Sequence, residues 1–71
     1  MYKNLKEVRV LNGDLSQQEV AEKLGISTGA YSFIENGKRT GSTKTWMKIQ
    51  ELFNLTDEDV WNLQKNNKKE Q

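Results

Sequence analysis

The sequence predicts an all-α fold, a compact domain of five short helices, on three observations. Apolar residues recur at three- and four-residue spacing within short segments, the period of a helix with one buried face. The segments open on small polar residues that cap helix starts: Ser16, Ser27, Ser42 and Thr56. They close on residues suited to a left-handed ending: Asn12-Gly13, Gly25, Asn36-Gly37 and Asn54.

The first helix is expected over Lys3–Leu11, with Leu5 and Val8 inward, Arg9 at the edge of that face, and Asn12-Gly13 as the stop. Ser16 caps the second helix, and Glu19 three residues later completes a capping box. Its apolar face is Val20, Ala21 and Leu24, and it ends at Gly25. Ser27 caps the third helix, whose inward residues are Ala30, Tyr31 and Ile34 and whose last residue is Glu35. After the loop Lys38–Gly41, Ser42 caps a fourth helix over Thr43–Phe53 with Trp46, Ile49 and Phe53 inward. Leu55 packs, and Thr56 caps a fifth helix whose first turn holds Asp57, Glu58 and Asp59, favourable against the helix dipole. Val60 and Trp61 are expected to turn inward, with Leu63 beside them, so both Trp46 and Trp61 read as core residues, the alternative being a partly exposed Trp61 that joins a dimer contact. Residues 1–63 form the domain, and 64–71 read as a polar, fraying tail.

Only Gly25, Ile26 and Ser27 separate the second and third helices, so they cross sharply instead of lying antiparallel. This is a helix-turn-helix, whose second helix can enter a DNA major groove.

Composition narrows the function classes. A 71-residue chain buries only about 60% of its unfolded surface, too little for a deep catalytic cleft. It contains no cysteine and no histidine, which removes disulfides, thiolate metal sites and the commonest general base. An enzyme is therefore not expected, nor a metal or other cofactor. With no long apolar run and no signal-like start, a cytoplasmic location without membrane contact is expected. Net charge is only +1, but its distribution is uneven. Asn36–Lys48 carries Lys38, Arg39, Lys44 and Lys48 with no acid, and Asn54–Asn62 carries three acids with no cation. One side of the domain can face phosphates while another repels them.

The residues Leu15-Ser16-Gln17, Val20-Ala21, Leu24-Gly25-Ile26-Ser27, Ile34-Glu35-Asn36-Gly37 and Lys38-Arg39 resemble the lambda-repressor-like, Cro-related (XRE) transcription regulators. The similarity continues through Ser42, Ile49, Phe53, Leu55-Thr56 and Val60-Trp61, so it spans about residues 5 to 61. It implies a double-stranded DNA operator as partner, and a phage- or prophage-type repressor that acts by occupying it. A homodimer on DNA is expected, formed through the fourth and fifth helices or only on the duplex.

Gln17, first in the second helix, can meet a phosphate together with the free backbone amides there, and the resembled family uses this glutamine so. The resemblance also places Lys38, Arg39, Thr40, Ser42 and Lys44 along the phosphate backbone. It makes Arg9 and Glu35 a partly buried structural ion pair. Thr40-Gly41 replaces the Asn-Pro often found there, which predicts a more flexible loop.

The base-reading side follows from the helical wheel: opposite Ala30, Tyr31 and Ile34 stand Thr28, Gly29, Ser32 and Phe33. The family commonly presents Gln, Arg, Asn or Lys there, because bidentate groups discriminate base edges. Two hydroxyls, a glycine and a phenylalanine predict a permissive polar readout. Phe33 can read a thymine methyl, bend into the core, or meet a protein. The last possibility carries the rival function, an interaction module of antirepressor or antitoxin type whose main partner is another protein.

Overall fold

A computed structural model describes residues 2–67. Its elements, all helical, are α1 (Leu5–Leu11), α2 (Gln17–Leu24), α3 (Thr28–Glu35), α4 (Thr43–Phe53) and α5 (Asp57–Asn67). The core joins Leu5 and Val8 of α1, Val20, Ala21 and Leu24 of α2, Tyr31 and Ile34 of α3, and Trp46, Ile49 and Phe53 of α4, closed by Leu55 and Leu63.

Local capping sets the boundaries. Ser16 Oγ accepts the Glu19 amide at 3.0 Å while Glu19 returns a carboxylate oxygen to the Ser16 amide at 2.8 Å. Thr56 and Asp59 make the same reciprocal pair at the start of α5. Gly25, at φ 76°, ends α2, and the Ile26 amide folds back to the Ala21 carbonyl at 3.0 Å. Asn54 takes the same left-handed conformation at φ 54°, and the Leu55 amide reaches the Gln50 carbonyl at 2.9 Å.

Two expectations are corrected. The first helix begins at Leu5 rather than Lys3, because the Asn4 side chain accepts the Glu7 amide at 2.9 Å and so becomes the cap. Trp61 does not face the core and is 63% exposed. Leu63, buried, and Val60, packed against the core, fix the inner face of α5, and Trp61 lies about 200° around the helix from Leu63. The α5 helix runs through Asn67, past the domain boundary expected at residue 63, and residues 68–71 of the tail lie outside the described residues.

The loop after α3 is tied down. Its Thr40 carbonyl accepts the Trp46 indole N–H at 2.5 Å, and Gly41 sits at φ 80°. A Cβ at Gly41 would come within 3.1 Å of Ile34 Cδ1 and 3.2 Å of Trp46 Nε1, so close packing as well as backbone conformation demands glycine. The Trp46 bond, with the Lys38 and Arg39 amides on the Phe33 carbonyl at 2.8 and 3.1 Å, anchors the loop where the family often has a proline.

Candidate nucleic-acid interface

The interface is organised by a part-buried ion pair. Arg9 of α1 meets Glu35 at the end of α3 through Nε–Oε2 at 2.8 Å and Nη2–Oε1 at 3.0 Å. Its Nη1 donates to the Leu15 carbonyl at 2.7 Å, so one guanidinium joins α1, the α1–α2 connection and α3. The two side chains are 11% and 4% exposed. Gln17 Nε2 adds a third donor to Glu35 at 2.9 Å, fixing the start of α2 against the end of α3. Burial by itself raises the Glu35 carboxyl, but the Arg9 and Gln17 hydrogen bonds outweigh it and hold the group below its usual range. The hydrogen bond to Glu35 likewise raises the Arg9 guanidinium. Tyr31 is buried beside them, and burial, then the Glu35 charge, push its hydroxyl far up. Nothing in the helical periodicity signals the Gln17–Glu35 bond, which links residues 18 apart.

Gln17 is thus a half-buried bridge. An amide nitrogen carries two donors, so one proton remains for a second acceptor. Ser42, also assigned to phosphate, accepts the Thr45 amide at 3.1 Å at the start of α4 and lies 3.0 Å from Thr45 Oγ1. Lys38, Arg39, Thr40 and Lys44 are exposed. Lys48 turns instead to the end of α2, with Nζ 3.4 Å from the Leu24 carbonyl.

The outer side of α3 is open. Thr28 and Gly29 are exposed, Ser32 is half-buried, and nothing lies within 4 Å of a Cβ built on Gly29. Phe33 is 40% exposed, which settles its place on the surface rather than in the core. The Arg39 guanidinium lies over its ring, with Cζ 5.2 Å from the centroid, a contact the sequence did not indicate. Among the described residues no cluster of histidine, cysteine or carboxylates could hold a metal, and no helix is long and apolar enough to cross a membrane.

A capped pair of helices joined by Gly25-Ile26-Ser27, with the outer face of the second left open, defines a helix-turn-helix domain. The chain belongs to the XRE-type helix-turn-helix family of transcription regulators, whose pattern matches residues 5–61. An HTH-type transcriptional regulator of Methanocaldococcus jannaschii, itself uncharacterized, is 38% identical over 61 residues, covering 86% of this chain and 91% of that protein. Two uncharacterized HTH-type regulators of Archaeoglobus fulgidus are each 33% identical over 61 residues, covering 86% of this chain and 84% and 86% of their own lengths. No solved structure matches the chain significantly.

Proposed function

We propose that this protein is a sequence-specific regulator of the repressor type, which lays α3 in the major groove of an operator and blocks polymerase by occupying it. The observation that carries this reading is the open outer face of α3, flanked by the start of α2 and by a loop rich in cations. Thr28, Gly29, Ser32 and Phe33 face the base edges. Gly29 lets the helix backbone approach closely. Gln17 and the free amides at the start of α2 take one phosphate, and Lys38, Thr40 and Lys44 follow the backbone beyond α3. Ser42 contributes through the helix start it caps.

One such domain reads few base pairs, and each mismatch costs about 1–3 kcal/mol, so a homodimer on a two-fold site supplies the remaining discrimination. The outward Trp61 gives α5 an apolar surface for that contact. The phage or prophage origin suggested by the resemblance has no counterpart in the named relatives, which are archaeal.

Selection of bound sequences from a random duplex pool tests the reading. A two-fold site with half-sites about 10 base pairs apart is the expected result. The exposed Phe33 ring favours one rival, an interaction module for another protein. Under that reading the pool yields no enriched sequence, and binding to duplex lacks the steep salt dependence of phosphate contacts.

A further inference from the structure

We propose that Phe33 and Arg39 form a single base-reading unit, in which the ring holds the Arg39 guanidinium at the edge of α3 so that it donates to a guanine. The proposal rests on the DNA-binding reading above and changes the part played by Arg39, which the family resemblance groups with the phosphate contacts.

Four observations carry it. The outer face of α3 offers Thr28, Gly29, Ser32 and Phe33, none of which is a bidentate donor. The Arg39 guanidinium lies 5.2 Å from the Phe33 ring centroid, inside the range of a cation–π contact. The backbone builds this stack in: the Lys38 and Arg39 amides both donate to the Phe33 carbonyl, at 2.8 and 3.1 Å, so the arginine stem starts beside the residue whose ring it covers. Finally, no hydrogen bond or ion pair engages the Arg39 head among the described residues, and no acid lies within Asn36–Lys48. Arg9 contrasts with it, since Arg9 donates to Glu35 and the Leu15 carbonyl.

The cation–π contact holds the guanidinium over the ring without engaging its N–H groups, which radiate from the edge of the guanidinium plane and stay open to another acceptor. A fork so presented matches the O6 and N7 acceptors of guanine in the major groove. The arrangement also accounts for an apolar ring left 40% exposed on a reading face. The ring is a platform for a cation. Lysine cannot replace this arginine, because an ammonium is a point charge with no planar fork.

The test uses the site recovered by selection, its copy carrying 7-deazaguanine at each conserved guanine in turn, and random duplex. Affinities are measured for the parent, Arg39→Lys, Phe33→Ala, Phe33→Tyr and the double variant Arg39→Lys/Phe33→Ala, each first checked for folding by thermal melting. Arg39→Lys is expected to weaken the selected site by about tenfold or more and random duplex by less than about twofold. One 7-deazaguanine position is expected to weaken the parent and leave Arg39→Lys unchanged. Phe33→Ala is expected to lose most of the same factor, Phe33→Tyr little, and the double variant no more than Arg39→Lys.

Equal losses for Arg39→Lys on selected and random duplex would make Arg39 a phosphate anchor and overturn the proposal, with the DNA-binding reading intact. A Phe33→Ala loss that vanishes when thymine is replaced by uracil, while Arg39→Lys keeps its own effect, would also overturn it, since the ring would then read a methyl by itself. A pool with no enriched sequence removes the DNA reading and this inference together. If Phe33→Ala fails to fold, Phe33→Leu takes its place beside the Arg39→Lys and 7-deazaguanine arms.

Discussion

Replacing Arg9 with methionine is the sharpest perturbation of the scaffold, because Arg9 is the main partner of a carboxylate that is 4% exposed. Breaking one side of a buried ion pair costs about 3–5 kcal/mol, mostly from the charge left behind. Gln17 still donates to Glu35 in the variant, and a hydrogen bond to a charged group is worth about 1.5–3 kcal/mol. The expected loss therefore falls near the lower end, about 3 kcal/mol. A domain of this size has only about 4–10 kcal/mol in total, so the urea midpoint moves far. Arg9→Met with Glu35→Leu removes both charges and is expected to recover most of the loss. Urea unfolding of parent, both single variants and the double variant yields the coupling.

Acidity supplies a second readout of the same pair. The folded Glu35 carboxyl lies below its unfolded value, so its contribution is complete above the ordinary carboxylate range and disappears as pH falls through the folded value. In Arg9→Met burial dominates and raises the carboxyl, so acidification relieves that variant while it weakens the parent. The gap between them is expected to narrow as pH falls through the carboxylate range. Additive single-variant effects, or a gap independent of pH, would refute the argument that Arg9 and Glu35 act as a desolvated pair.

Lys38→Ala is expected to weaken selected and random duplexes by similar factors and to lower the salt slope by about one unit, measured by titration at several salt concentrations. Gln17→Ala is expected to do the same to affinity without the full change in slope, and also to lower the urea midpoint, since it removes a donor from Glu35. Gly41→Ala meets both a φ of 80° and a Cβ position 3.1 Å from Ile34 Cδ1; a loss of about 1–2 kcal/mol in thermal melting, with weaker duplex binding, is the expected outcome. Trp61→Ala is expected to leave monomer stability within about 0.5 kcal/mol while reducing cooperative binding to paired half-sites, read by comparing whole and half operators.

The sequence alone fixed the order of the helices, most of their ends and the helix-turn-helix itself. Those features rest on interactions three to five residues apart: Ser16 with Glu19, Thr56 with Asp59, and the Ile26 amide with the Ala21 carbonyl. Such contacts repeat wherever the same residues occur, so they are legible locally, and the outward placement of Thr28, Gly29 and Phe33 followed from them. The Asn4 cap on the Glu7 amide is a contact of the same local kind, one residue ahead of the apolar pattern that starts at Leu5.

Tertiary structure decided what depends on how one helix is rotated against another. Trp46 and Trp61 look alike in an amphipathic pattern, yet α4 buries Trp46 beside Ile49 and Phe53, while the packing of Leu63 and Val60 leaves Trp61 in solvent. The bond from Gln17 to Glu35 and the bond from Trp46 to the Thr40 carbonyl needed the folded chain. So did the stack of Arg39 on Phe33, because its distance depends on the path of a loop and the rotamers of two long side chains. A helical period specifies which residues share a face, while contacts between faces arise only when the core has set their angle and depth.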